Sequence, residues 1–459
     1  MLNIIGGGLA GSEAAWQAAS RGERVTLYEM RPVRGTEVHQ TDRLAELVCS
    51  NSFRGDKLDN AVGLLKEEMR RAGSLVMRAA DAARVPAGAA LAVDRDRFAA
   101  AVTTAIHGHP GITVRREEVP SLGRLLDPQV PLVVATGPLT SDSLAADIAR
   151  FIGQDYLYFY DAISPIVLAE TIDMGRVFRA SRWGRSLGEP SSPAAAGPES
   201  PERPGDYLNC PMTKAEYEAF YAAVVAAESA VVHDFDTATF FEGCLPIEVM
   251  AHRGADTLRY GPMKPVGLVD PGSGRRPYAV VQLRQDTLAG DHYSLVGFQT
   301  QLKWGEQARI LRMIPGLERA EFVRLGMVHR NTYINGPATL TDTWQARARP
   351  DLFFAGQISG VEGYVESAAS GLMVGRHAVA LVRGQPLRPP PRTTALGALS
   401  YYVSHADARH YQPTNITFGI MEPPAGRIRD KQGRKRAVAE RALLELGAWI
   451  AADPTPHAA

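Results

Sequence analysis

The sequence predicts an α/β protein with a parallel sheet and an α+β segment inserted into it. Three observations carry that expectation. First, a short apolar run, Leu2-Asn3-Ile4-Ile5, ends in Gly6-Gly7-Gly8-Leu9-Ala10-Gly11; helical spacing follows from Ser12 to Ala19, then a second apolar run from Arg24 to Glu29. Strand, glycine turn, helix and strand make a βαβ unit, whose strands lie parallel. Second, buried-strand runs recur at Leu132–Gly137 and Leu352–Gly356, the latter followed by an Ala/Gly-rich stretch of helical spacing from Ser367 to Ala380. Third, the pattern changes between about 155 and 335, where strand-like pieces such as Tyr278–Leu283 mix with helical ones such as Lys214–Ser229.

These readings divide the chain into residues 1–155, the first part of a dinucleotide-binding domain; 156–335, the inserted α+β domain; 336–392, the second part of the first domain; and 393–459, a C-terminal helical segment. The run Leu387-Arg388-Pro389-Pro390-Pro391-Arg392 reads as an extended linker into that last piece. Within the insertion, residues 184–204 are rich in Pro, Ser, Gly, Ala and Glu. Such a segment buries too little apolar area to offset its ordering entropy, so a mobile surface loop is expected.

The first glycines carry a chemical expectation. Gly6-x-Gly8-x-x-Gly11 follows a strand and opens a helix: Gly6 permits the tight turn, Gly8 lets backbone approach a pyrophosphate, and Gly11 allows close helix–strand packing. Glu29 ends the second strand 18 residues after Gly11, where a carboxylate accepts hydrogen bonds from ribose hydroxyls. The expected cofactor-binding set is Gly6, Gly7, Gly8, Leu9, Ala10, Gly11 and Glu29. This motif alone does not separate FAD from NAD. Ala135-Thr136-Gly137 resembles a turn common in two-dinucleotide flavoproteins, and Phe354-Ala355-Gly356-Gln357 resembles the late motif that brings a helix terminus against a flavin. Three such segments in this order favour a Rossmann-like FAD-binding domain, and add Ala135, Thr136, Gly137, Gly356 and Gln357 to the set.

Composition narrows the class. Lys+Arg and Asp+Glu both number 50, which argues against a histone-like basic blanket but not against a local basic patch. The three cysteines, Cys49, Cys210 and Cys244, are too few for a disulfide framework, and no CxxC pair exists. A reducing cytoplasm is therefore the expected compartment. The first apolar stretch is short and runs straight into glycines, so no signal peptide is expected, and no stretch approaches 18 uninterrupted apolar residues, so no membrane span is expected. No His/Cys/carboxylate cluster has metal spacing, and no metal is expected.

Cys49 lies in Glu46-Leu47-Val48-Cys49-Ser50-Asn51-Ser52-Phe53-Arg54, and Cys244 in Phe240-Phe241-Glu242-Gly243-Cys244-Leu245-Pro246-Ile247-Glu248. Both stand beside small, polar or Gly/Pro residues, whereas a packing cysteine usually sits in an apolar periodic run. Each admits a packing or a catalytic reading. Cys210, in Leu208-Asn209-Cys210-Pro211-Met212, is read as structural.

Taken together, Gly6–Gly11, Cys49-Ser50-Asn51-Ser52, Phe159-Tyr160-Asp161-Ala162, Phe241–Glu248, Arg259–Pro265, Gly297-Phe298-Gln299-Thr300, His329-Arg330-Asn331-Thr332-Tyr333 and Ala355–Gly371 resemble one family over nearly the whole chain. It is the folate- and FAD-dependent tRNA uracil-5 methyltransferase family, TrmFO. The sister family GidA/MnmG, which modifies tRNA wobble uridines with a partner GTPase, shares the N-terminal glycines and is the main competitor; an NAD(P)H-dependent flavin oxidoreductase without RNA, or a flavin-bound scaffold, are the others. The resemblance implies transfer of one carbon from 5,10-methylenetetrahydrofolate to carbon 5 of uridine 54 in the tRNA T loop, with reduced FAD as reductant and NAD(P)H reducing the flavin. It implies tRNA as partner, with no membrane and no obligate protein partner.

That chemistry needs an activated thiol. Carbon 5 of uracil is a poor nucleophile until a thiolate adds to carbon 6, and a base must later remove the carbon-5 proton. An unperturbed thiol titrates near pH ~8.5, so a cation or helix terminus should lower it. By position in the family motif, Cys244 is the nucleophile and Cys49 a second active-site thiol, serving as proton acceptor or keeping the flavin site in shape. Tyr364, in Gly363-Tyr364-Val365-Glu366, matches a family active-site tyrosine that stacks on or orients the base, or else packs in the late loop. His329 and Arg330 are candidates for folate, flavin or phosphate. The densest basic run, Arg427–Arg436, reads either as a phosphate contact or as a solvated helix start with Glu440 and Glu445 as partners.

Overall fold

A computed structural model describes residues 1–36, 38–153, 157–184, 205–229, 245–326, 328–424, 426 and 428–453. The 184–204 loop expected from composition lies, from 185 onward, outside the described residues. Strand β1 (Leu2–Ile5) is flanked by β2 (Val25–Glu29) and by β4 (Leu132–Val134); β3 (Ile112–Arg116) lies beyond β2 and β5 (Arg349–Phe354) beyond β4, all parallel. A short strand, Gln345–Ala346, closes the β5 edge antiparallel, giving six strands. Leu2, Ile4, Leu27, Leu132, Val133, Val134, Phe353 and Phe354 are all buried, as a sheet covered on both faces requires.

Helices α1 (Leu9–Ala19) and α2 (Tyr364–Val382) pack on each other at near-backbone distance. A Cβ on Gly371 would stand 2.1 Å from the Ala10 carbonyl oxygen, and one on Gly375 2.6 Å from that of Ala14. The small residues of the late helix therefore serve helix contact. Spacing places the starts of these helices at Ser12 and Ser367, but both begin three residues earlier. Gly8 caps α1 in extended conformation and its carbonyl accepts from Ser12 N at 2.9 Å, so the last residues of the glycine turn are already helical. The helix expected over Lys214–Ser229 stops at Ala226, where the chain turns extended so that Ser229 can pair with Leu302.

The insertion carries a second six-stranded sheet, wholly antiparallel, in the order 178–180, 207–212, 279–285, 292–295, 166–168 and 322–324. A two-stranded ribbon, Leu157–Ala162 against Val328–Tyr333, carries the chain out of the first sheet and back. Residues 387–391 are neither helix nor strand. They lead to α3 (Ala395–His405) and α4 (Lys431–Ala451), whose Leu396, Leu399, Val438 and Leu446 join the core of the parallel-sheet domain. Among the described residues no helix is long and apolar enough to cross a membrane.

Candidate active site

A cleft opens at the carboxyl ends of β1, β2, β4 and β5, the end at which open parallel sheets bind ligands. Its wall takes Gly6, Gly8, Leu9 and Ala10 from the first turn, Glu29 from β2, Ala135, Thr136 and Gly137 after β4, and Gly356, Gln357 and Tyr364 after β5. The three separated motifs meet because their strands are neighbours: Ala135 N donates to Ile5 O at 2.8 Å, and Ala355 N to Val134 O at 2.9 Å.

The glycines divide by task. Gly6 has φ 102°, and a Cβ there would lie 2.4 Å from the Ala135 carbonyl oxygen. At Gly11 it would lie 1.8 Å from Gly6 O. Above Gly8 there is no atom within 4 Å, and no side chain caps the helix that starts there. This is a cradle with unclaimed amide donors at a positive dipole end, and it fits a pyrophosphate. Gly7 and Gly11 stand behind the wall. Gly7 N is already taken by Glu29 Oε2 at 2.8 Å, so Gly7 positions the carboxylate.

Glu29 is buried, and burial raises its pKa; the charge of Arg31 and its bonds to Oε1, from N at 3.0 Å and Nε at 2.9 Å, outweigh this and hold the carboxyl below its ordinary value. An ionised carboxylate has about four acceptor positions; Gly7 N, Arg31 N and Arg31 Nε take three, so one remains for a ribose hydroxyl. Arg31 also reaches Glu46 at 3.2 Å. His39, on the same wall, is pushed down to about 4 by burial and then by Arg31, and is neutral at pH 7. At the late motif, Gly356 N donates to Ser370 Oγ at 2.7 Å and Gln357 Nε2 to Glu362 Oε2 at 2.6 Å.

The Cys49 loop is fastened beside this cleft by side chains from distant elements. Tyr364 Oη accepts from Cys49 N at 2.7 Å and from Ser50 N at 3.1 Å. Arg284, from the antiparallel sheet, donates to Asn51 Oδ1 at 2.7 Å and Ser50 Oγ at 3.0 Å. Asn51 Nδ2 donates to Val93 O and Gln285 O, both at 3.0 Å. Arg95 donates to Leu47 O at 3.1 Å and pairs with Asp286. Both domains thus grip one loop. Burial, then the neighbouring Cys49, pushes the Tyr364 hydroxyl up, so it stays a phenol whose oxygen receives the loop.

The structure brings Cys49 and Tyr364 together. Cys244 and the motif before it lie outside the described residues. The chain directly after it is fixed: Ile247 N donates to Gln299 O at 2.8 Å, and Glu248 accepts from Thr300 Oγ1 at 2.9 Å and Gln301 N at 2.7 Å. Cys210 is fully buried in its strand, its thiol pushed up by burial. His329 and Arg330 lie on the ribbon strand, their side chains outside what is described. In the basic run Arg427 lies outside the described residues, and α4 opens at Lys431, capped by Asp430 through Gln432 N and Gly433 N. Glu445 accepts from Thr393 Oγ1. Among the described residues no group of three His, Cys, Asp or Glu could hold a metal.

Arg31, His39, Arg95 and Arg284 escape sequence reasoning because no spacing links them to the motifs. Arg284 shares one face of the strand Ala279–Gln285 with Gln282, so the alternation there reads as an ordinary polar face.

The family described as "Glucose inhibited division protein A" matches residues 1–386. The "Methylenetetrahydrofolate--tRNA-(uracil-5-)-methyltransferase TrmFO" of Symbiobacterium thermophilum is 58% identical over 98% of this chain and 96% of its own. The protein of that name from Geobacter sulfurreducens is 55% identical over 98% and 99%. The solved GidA of Aquifex aeolicus shares the fold with a TM-score of 0.68 at 17% identity, covering 97% of this chain but 73% of the longer one. On its cleft, its cysteine loop and these relatives, the chain belongs to the TrmFO family, within the wider glucose-inhibited division protein A family.

Proposed function

We propose that this protein transfers one carbon from 5,10-methylenetetrahydrofolate to carbon 5 of a tRNA uracil, uridine 54 of the T loop, and yields 5-methyluridine. Reduced FAD and NAD(P)H serve as reductants, and the enzyme works in the cytoplasm without an obligate protein partner. The observation that carries this reading is the Cys49 N–H to Tyr364 Oη hydrogen bond, which sets a thiol-bearing loop against the mouth of the glycine-lined cleft.

The residues present fit FAD. The open space above Gly8 and the uncapped start of α1 suit its pyrophosphate, Glu29 suits a ribose, and Gly356, Gln357 and the start of α2 suit its ring end. Bound there, the flavin supplies the reducing equivalents that turn a transferred methylene into a methyl. The chain supplies the activation. The Cys244 thiolate adds to carbon 6 of the uracil, makes carbon 5 nucleophilic, and leaves again once the methyl is complete; Cys49, on the loop tied down by Tyr364 and Arg284, takes the carbon-5 proton as a thiolate or keeps the site in shape. The target uridine must leave the stacked T loop to reach these groups.

The purified holoenzyme, incubated with tRNA lacking the T-loop methyl, methylenetetrahydrofolate and NADPH, is expected to form 5-methyluridine. Product that appears with S-adenosylmethionine in place of the folate, and not with the folate, would contradict the proposal. Cys244→Ala should lower the rate by about 10³-fold or more and abolish the covalent adduct with a 5-fluorouridine RNA. An adduct that persists in this variant moves the nucleophile to Cys49.

A further inference from the structure

One face of the inserted domain carries aromatic and basic groups that the cleft does not use. Tyr260 is 73% exposed, and the Arg259 guanidinium lies 5.3 Å from its ring centroid and 4.4 Å from that of Tyr278. Trp183 is 56% exposed and lies over Gly267, where a Cβ would stand 2.8 Å from the indole. Arg182 fastens this tryptophan turn to the same segment, donating to the carbonyls of Lys264 and Val266. A shallow hollow lined by Leu245, Met250, Thr257 and Tyr260 links the face to Leu245, the chain neighbour of Cys244.

The charge here is one-sided in a chain that is neutral overall. Residues 253–276 hold five basic side chains (Arg253, Arg259, Lys264, Arg275 and Arg276) against Asp256 and Asp270. Both carboxylates are engaged locally: Asp256 pairs with Arg259 at 2.9 Å, and Asp270 accepts from Gly272 N at 2.9 Å and Ser273 Oγ at 2.7 Å. Arg253, Arg275 and Arg276 are exposed. Flat rings set among guanidinium groups match a ligand that offers both stackable faces and phosphates, and a nucleic acid strand offers both. An apolar protein partner would leave the cations unmatched.

We propose that this face is a docking surface for tRNA, with a base beside the target uridine stacked on Tyr260 and phosphates held by Arg275 and Arg276. The inference rests on the tRNA reading above and adds where the RNA lies. Full-length FAD-loaded protein is titrated into a labelled, unmethylated tRNA transcript at several salt concentrations. Tyr260→Ala should weaken binding about 10-fold and Tyr260→Phe less than about two-fold. Arg275→Gln with Arg276→Gln should reduce the slope of log affinity against log salt by about 1–2. Melting temperature and flavin content should match the wild type in all three. Wild-type affinity in Tyr260→Ala, or an unchanged salt slope in the double variant, overturns the proposal. So does a Tyr260→Ala protein that loses self-association and keeps its tRNA affinity, which would assign the face to a second copy. If the wild type forms no 5-methyluridine while Tyr260→Ala still loses tRNA, the surface stands and the reaction falls; full methylation by Tyr260→Ala at unchanged affinity gives the reverse.

Discussion

The glycine turn after β1 and the Cys49 loop border the same cleft and are built by opposite means. The turn is made of backbone: Gly6 and Gly11 leave no room for a Cβ, and one carboxylate, Glu29, holds it from behind. The loop is made of side chains: Tyr364, Arg95, Arg284 and Asn51 tie it to both domains. A backbone site tolerates almost no change in residue type but needs few partners. A side-chain site loses one hydrogen bond at a time and depends on both domains being in place.

Substitutions can break this contrast. The largest effect is expected at Gly11→Ala, whose Cβ would collide with the Gly6 carbonyl; it should cost roughly 3 kcal/mol of stability and the bound flavin together. Thermal melting and the flavin absorbance per chain measure both. Gly8→Ala separates them: with no atom within 4 Å, it should melt like the wild type yet bind FAD about 10-fold more weakly, because the methyl fills the cradle. Equal loss in both variants would show that the turn does not divide as described. Tyr364→Phe removes the acceptor of two loop amides, a penalty of about 1–3 kcal/mol. Methylation should fall by about 10-fold or more with flavin content unchanged.

The smallest effect is a pH dependence. His39 titrates near 4 in the folded protein against an ordinary 6.5, so the unfolded chain binds the extra proton first. Its contribution to stability is complete above pH 6.5 and is lost as pH falls toward 4. His39→Gln should flatten that part of the melting-temperature profile, and an unchanged profile would place the titration elsewhere.

The same contrast explains what was legible in the sequence. The parallel sheet and cleft were readable because a turn that admits only glycine leaves a fixed spacing, and because strands covered on both faces are continuously apolar. Spacing alone puts the start of α1 three residues late, since Leu9-Ala10-Gly11 serves turn and helix together. Arg95 and Arg284 were not readable: they reach the Cys49 loop from 46 and 235 residues away in sequence, and only the fold sets that distance. Tyr364 stood out by its motif, but its attachment to the Cys49 backbone is a tertiary fact.

The most direct test follows the carbon itself. The holoenzyme is given 5,10-methylenetetrahydrofolate labelled at the methylene carbon, NADPH and unmethylated tRNA, and the nucleosides are separated. We predict one label per 5-methyluridine formed, at position 54, and none with Cys244→Ala. Unlabelled 5-methyluridine, or label at a wobble uridine, would contradict the assignment of this cleft and its cysteine loop.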